Sequence, residues 1–190
     1  MNRMALDYFE NVYAKEPDPW GFDARFYESR KYALTLAALP RERFARAFEP
    51  GCANGALSEK LALRCDALIS TELVPRVANR ARERLSVLPN VDVRVMAVPD
   101  AWPEGVFDLI VLSEVVYYLS HAGVSDLLRR IDASLVPGGH VIAVHWRGKT
   151  DYPLRGDEAH ERLDRHPAWR RSGAWIEPEF LLSTYENLLP

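Results

Sequence analysis

The residues best placed for chemistry lie in Phe48-Glu49-Pro50-Gly51-Cys52-Ala53-Asn54-Gly55 and in Leu68-Ile69-Ser70-Thr71-Glu72, with a helical run between them. The order is strand, glycine turn, helix, second strand, then a carboxylate where that strand ends. An open α/β sheet holds an adenosine-type cofactor in this way: glycines let the backbone approach the ligand, and the acid accepts hydrogen bonds from ribose hydroxyls. Gly51 to Glu72 is 21 residues, close to the roughly 20 that the geometry asks for. A glycine pair alone would carry little, since glycines at strand–helix turns are common for steric reasons.

What the turn lacks narrows the ligand. A dinucleotide turn reads G-x-G-x-x-G and sets backbone amides against a pyrophosphate; here Ala53 stands where the second glycine belongs, and no G-x-x-x-x-G-K-[ST] run is present. Glu49, just before the turn, would repel phosphate but suit an ammonium group. A ribose with a cationic amino-acid tail fits better than NAD or ATP, and S-adenosylmethionine is such a molecule.

These residues need a scaffold, and the rhythm of the chain supplies one. Residues 44–49 read as a strand, 55–64 as a helix, 67–72 as a strand and 75–86 as a helix, with Pro75 in its first turn. Val91 to Val95 alternates as a third strand. Val106 to Leu112 is a nearly continuous apolar run, as expected of a strand buried on both faces. Leu127, Ile131 and Leu135 mark a helix stopped by Pro137-Gly138-Gly139, and 141–144 form the fifth strand. Such alternation implies a parallel sheet wound by right-handed crossovers. Ahead of it, two helices flank the break Pro17-Asp18-Pro19-Trp20-Gly21-Phe22, the second over 24–39. After it, 157–165 read as a helix, and 174–176 with 180–185 as a closing hairpin. The expected organisation is one domain over 1–190: a helical lid (1–40), a cofactor-binding core (43–150) and a substrate-side helix with closing strands (151–190).

Ligands of such sheets bind outside the carboxyl ends of the strands. That selects the turn at 49–55, Glu72 with Leu73, the segment around Ala97 and Val98, and Ser113-Glu114 with the loop after them. Trp102 could cover a base or serve the core. Tyr117 and Tyr118 could stack on a sugar ring or orient an amine, or simply pack. His145 and Trp146 end the fifth strand; His145 could accept a proton or be a satisfied structural residue, and Glu114 could also accept a proton. No metal-ligand set emerges from His140 or His145.

Composition excludes several classes. The net charge of −3 and pI near 6.0 argue against a nucleic-acid-coating surface, and no Asn/Asp-Pro-Pro-Tyr motif occurs. No apolar run reaches a membrane span. Met1-Asn2-Arg3-Met4 leads into Asp7 and Glu10 without a secretory core, so a cytoplasmic protein is expected. Cys52 and Cys65 offer neither a disulfide framework nor zinc spacing.

Taken together, Glu49 to Gly55, Glu72, Phe107 to Val115 and Pro137-Gly138-Gly139-His140 resemble the successive motifs of class I S-adenosylmethionine-dependent methyltransferases. Within them, Asp18-Pro19-Trp20, Tyr27-Glu28 and Ser113 to Leu119 resemble the NodS-like group, across residues 5–187. The resemblance implies a Rossmann-like, seven-stranded mixed sheet in the order 3-2-1-4-5-7-6, the last strand antiparallel, with helices on both faces. It implies S-adenosyl-L-methionine as cofactor and S-adenosyl-L-homocysteine as product. Gly51, Cys52, Ala53, Asn54 and Gly55 would line the methionine portion, with Glu49 near its ammonium. Glu72 would hold the ribose, Ser113 and Glu114 would border the sulfonium, and Leu73, Ala97 and Val98 complete the expected cofactor-binding set, the apolar segment at 97–98 lining the adenine edge. The helix from Tyr27 would close over the site, with Arg30 a candidate for the cofactor carboxylate. The group's founding activity is N-methylation of a free glucosamine nitrogen on a deacetylated chito-oligosaccharide, so a small-molecule or saccharide acceptor is implied. O-methylation, or a non-catalytic nucleoside-binding module of the same fold, are the alternatives. Ala53 departs from the usual third glycine, and the segment near Ala97 lacks the usual polar contact to adenine.

Overall fold

The structure, a computed structural model, describes residues 3–189; residues 1, 2 and 190, at the outer ends of the expected lid and closing segments, lie outside the described residues. Its centre is one seven-stranded sheet in the order β3-β2-β1-β4-β5-β7-β6. The strands are β1 (Phe44–Pro50), β2 (Cys65–Glu72), β3 (Val91–Val95), β4 (Phe107–Ser113), β5 (Leu135–Trp146), β6 (Trp169–Ile176) and β7 (Phe180–Asn187). β1 through β5 pair in parallel, and β7 runs antiparallel to both β5 and β6. The expected order and antiparallel strand are those found.

The crossovers are α3 (Ala56–Leu61), α4 (Pro75–Leu85) and α5 (His121–Asp132), while α6 (Gly156–Asp164) leads into the closing hairpin. Central strands are apolar on both faces because helices cover both: Leu109 and Val111 face one core with Leu61 and Leu182, and Ile110 and Leu112 the other with Leu127 and Tyr185. Ser120 caps α5 by accepting a hydrogen bond from the Gly123 amide at 3.1 Å.

Several elements differ from the sequence reading, among them β6, which begins at Trp169 rather than at 174. The helix containing Leu127 and Ile131 ends at Asp132, and Leu135 already belongs to β5, as do Pro137, Gly138 and Gly139. The four-residue spacing carried on past the helix by coincidence. The strand absorbs these residues through an irregularity against β4, where Phe107 pairs with Leu135 but Leu109 with His140, and Gly138 takes φ +67°. The helix expected over 55–64 is shorter, ending at Leu61 before a single 3-10 turn over Ala62–Arg64.

Ahead of the sheet, α1 (Leu6–Lys15) and α2 (Phe26–Ala37) lie over the carboxyl ends of the strands. Tyr13 of α1 packs with Val74 and Val77, and Phe9 meets Tyr118 edge-on with ring centroids 4.9 Å apart. Among the described residues no helix is long and apolar enough to cross a membrane.

Candidate active site

A cavity of about 790 Å³ opens above the carboxyl ends of β1, β2 and β4, roofed by α1, α2 and the turn between them. Its size suits a nucleoside and a second small molecule together. Its floor is the turn between β1 and α3. Gly51 adopts φ +73°, and a Cβ there would sit 3.4 Å from the Val115 side chain, so the turn and the loop after β4 approach closely. Ala53 takes φ +49°, a left-handed conformation that favours glycine. The missing glycine is therefore a departure in residue type, not in backbone shape.

Glu49 is buried at the end of β1. Both of its hydrogen bonds fall on Oε2, from Ser58 Oγ at 2.5 Å and Ser70 Oγ at 2.8 Å. Burial pushes its carboxyl up to about 7, against the pull of the two hydroxyls. Glu72 ends β2 facing the same space. Its Oε2 accepts from the Ala53 amide at 3.1 Å and its Oε1 from the Val74 amide at 2.8 Å. Burial lifts it to about 7 as well, countered by those backbone donors. Glu72 thus stitches the turn to the start of α4 while lining the cavity.

The third wall follows β4. Glu114 takes φ +54°, which swings its carboxylate back under α2. There Oε1 meets Lys31 Nζ at 2.7 Å, while Oε2 accepts from Tyr117 Oη at 2.7 Å and from the Trp146 amide at 2.8 Å. Lys31, 1% exposed, also pairs with Glu28 Oε2 at 2.9 Å. Burial alone would lower its amine, but Glu114 and Glu28 outweigh that and hold it above the ordinary lysine range. Tyr27 lines the wall beside them, the Lys31 ammonium 4.9 Å from its ring centre, and its buried hydroxyl has no hydrogen-bond partner among the described residues.

The cavity is bordered by Tyr27, Glu49, Gly51, Cys52, Ala53, Asn54, Glu72, Leu73, Ala97, Val98, Ser113, Glu114, Tyr117 and Tyr118, so most of the residues singled out in the sequence converge. Three do not border it. Arg30 faces outward and pairs with Glu177 at 3.0 Å, because α2 directs its neighbour Lys31 inward and turns about 100° per residue. Arg25, just before α2, borders the cavity instead. Gly55 sits behind the turn, where its φ of +81° starts α3 and its bare Cα packs against Leu85 and Ala81. His145 is fully buried beneath the site. Its Nε2 accepts from the Val116 amide at 3.1 Å and its Nδ1 meets His160 Nε2 at 3.2 Å, while His160 Nδ1 contacts Ser183 Oγ at 3.1 Å. Burial drives His145 well below the ordinary histidine range and His160 down to about 4, so both rings are neutral. His145 anchors the 113–118 loop, and neither ring borders the cavity. Trp102 belongs to the core, donating to Ser134 Oγ at 3.0 Å and packing edge-on to Phe48.

Sequence reading quoted Glu28 only within the family resemblance and passed over Lys31, although their three-residue spacing on one helix marks a possible ion pair. Nothing local could show that Lys31 meets a strand end 83 residues away.

The known proteins agree with this architecture. The family model described as Nodulation protein S (NodS) matches residues 9–147. Nodulation protein S of Rhizobium tropici is 37% identical over 131 residues, 66% of this chain and 53% of that protein. The Sinorhizobium fredii protein of the same name is 35% identical over 127 residues, 66% of this chain and 59% of that one. The matches span little more than half the length of these curated relatives. The crystal structure of the N-methyltransferase NodS from Bradyrhizobium japonicum WM9 in complex with S-adenosyl-L-homocysteine superposes with a TM-score of 0.85 at 25% identity, covering 95% of this chain and 97% of that one. The fold is that of class I S-adenosylmethionine-dependent methyltransferases, and with the family model matched over most of its length the chain belongs to the nodulation protein S family.

Proposed function

We propose that this chain is an S-adenosylmethionine-dependent methyltransferase whose acceptor is the free amine of an amino sugar, such as a deacetylated chito-oligosaccharide. The cavity carries five carboxylates, Glu28, Glu49, Glu72, Glu114 and Glu179, against the cations Arg3, Arg25 and Lys31. Such a surplus welcomes positively charged guests and disfavours phosphates.

The residues fit the cofactor. Glu49 Oε1 carries no hydrogen bond among the described residues, which suits it to an ammonium. Glu72 would take the ribose hydroxyls, Gly51 to Asn54 the amino-acid tail with Arg25 near its carboxylate, and Ala97 and Val98 the adenine face. The unpartnered Tyr27 hydroxyl, with Ser113 and Glu114, would border the sulfonium. When bound, S-adenosylmethionine supplies an electrophilic methyl group, so the protein's task is alignment and exclusion of water.

One observation favours nitrogen over oxygen as the acceptor: both candidate bases are engaged. Glu114 already receives three donors, and His145 is sealed under the loop. A sugar hydroxyl would need a base, whereas an amine that arrives neutral, having released its proton to solvent, needs only orientation. The S–CH₃ bond breaks as the N–CH₃ bond forms, and the product amine loses one proton to water. Tyr117 and Tyr118 flank the acceptor. The acidic balance argues against a nucleic-acid acceptor, and the lack of a membrane-spanning helix among the described residues is consistent with a cytoplasmic enzyme.

Methyl transfer to deacetylated chito-oligosaccharide, with the fully acetylated oligomer as control, tests this. Transfer to the deacetylated oligomer alone is expected. Methylation of the acetylated control would favour O-methylation, and cofactor binding without turnover on any acceptor would favour a binding module.

A further inference from the structure

We infer that Trp146 is a carbohydrate-stacking platform at the mouth of the cavity, holding a sugar residue next to the one being methylated. The inference rests on the amino-sugar reading and adds to it a preference for oligomeric acceptors.

Trp146 borders the cavity yet remains 39% exposed. It is fixed from several directions. Its amide donates to Glu114 Oε2 at 2.8 Å, the residue that would border the sulfonium. Its carbonyl lies against the start of α6, where a Cβ on Gly156 would come within 2.1 Å of the oxygen. Its ring lies against Gly148, where a Cβ would come within 2.0 Å of ring carbon Cζ2. The following Arg147 is locked by Asp157 at 2.8 Å and by the carbonyl oxygen of Glu177 at 3.0 Å. Two glycines and an ion pair therefore set the indole in place while part of it stays in solvent.

Ordinary core packing would have covered such a ring. A rigid aromatic face beside hydrogen-bonding acids is what the C–H face of a pyranose recognises, since it offers apolar contact at low entropic cost while the sugar hydroxyls reach polar neighbours. Glu179, also on the cavity border, supplies a carboxylate at the same mouth for hydroxyl or ammonium groups. The hydrogen bond from the Trp146 amide to Glu114 ties the platform to the reaction centre, so a neighbouring sugar of the same oligomer can reach it.

The test is calorimetric titration of the protein saturated with S-adenosyl-L-homocysteine, using glucosamine and its β-1,4-linked tetramer. Wild-type protein should bind the tetramer about tenfold more tightly than the monomer, the value of one aromatic contact. Trp146→Ala should abolish that ratio while S-adenosyl-L-homocysteine and monomer affinities stay within about twofold. Trp146→Phe, which keeps a ring, should restore part of it and guards against simple misfolding. A tetramer preference that persists in Trp146→Ala, or is absent in wild type, would overturn the platform while leaving the methyltransferase reading intact. Failure of the wild type to bind S-adenosyl-L-homocysteine would instead remove both.

Discussion

Lys31 Nζ lies 2.7 Å from Glu114 Oε1, joining the inner face of α2 to the strained residue that follows β4. A second carboxylate, Glu28, completes the cluster at 2.9 Å. Taking three charges out of water is costly, and each is tolerable only because the others remain.

Removing the ammonium should therefore cost more than any single contact. Lys31→Met leaves two buried carboxylates uncompensated and should destabilise the fold by about 3 kcal/mol, as for other broken buried pairs. Adding Glu114→Gln to that variant should recover part of the loss, because it removes one stranded charge. Urea unfolding of the three proteins measures both quantities; an unaltered midpoint in Lys31→Met would refute the cluster's structural role.

At Ala53 the backbone asks for glycine and the sequence supplies a methyl group. With φ at +49°, Ala53→Gly should relieve strain of roughly 1 kcal/mol, partly offset by the greater freedom of the unfolded glycine chain. A melting temperature equal to or above wild type is expected, with cofactor affinity retained. A clear drop would mean that the Cβ makes a contact worth more than the strain.

The two cavity acids predict an unusual response to pH. Burial raises Glu49 and Glu72 to about 7 in the folded chain, so between 4.5 and 7 the fold holds protons that the unfolded chain has released. Stability from these groups falls as pH rises through that window. Buried His160, held near 4, acts in the opposite sense below 6.5, so a difference measurement is needed. The stability of Glu49→Gln relative to wild type should climb by roughly 1–3 kcal/mol from pH 4.5 to 7.5. A flat difference in paired chemical denaturations would contradict the raised carboxyl. If Glu49 and Glu72 receive the ammonium and ribose as proposed, the melting-temperature increase on adding S-adenosyl-L-homocysteine should also be larger at pH 8 than at pH 5.5 in wild type.

His145 offers a test of positioning. His145→Asn removes the ring that receives the Val116 amide and breaks the link to His160. The loss should cost about 1–3 kcal/mol of stability, as for an unsatisfied buried donor. Because the 113–118 loop carries Tyr117, the variant should raise KM for the acceptor with little change in cofactor affinity. A fall in kcat with unchanged KM and a shifted pH profile would instead identify His145 as a base.

The convergence of the proposed cofactor residues was legible because one local unit builds it. Glu49, Gly51 and Glu72 belong to a single strand–turn–helix–strand segment, and the register Glu49 opposite Ser70 and Pro50 opposite Thr71 brings them together. Spacing alone could predict that. The proposed acceptor side, with Tyr117, Tyr118 and Trp146, and the Lys31–Glu114 pair beside it are assembled from distant segments. Arg30 was selected where Lys31 was the inward residue, since a weak helical period cannot distinguish adjacent positions before the partner surface is known. A lone histidine at a strand end reads either as a base or as a satisfied structural residue, and His145 is the latter; its burial depends on α6, which only the tertiary fold brings beneath it. The Pro137-Gly138-Gly139 stop was read from residue type, yet β5 accommodates it by shifting register.

The proposed activity requires Glu72 to grip the ribose of an S-adenosyl nucleoside. Calorimetry of S-adenosyl-L-homocysteine with wild-type protein and Glu72→Ala addresses it directly. One-to-one binding by wild type, weakened in the variant by about 1–3 kcal/mol, is predicted. No binding by wild type, or equal affinity in the two proteins, would contradict it.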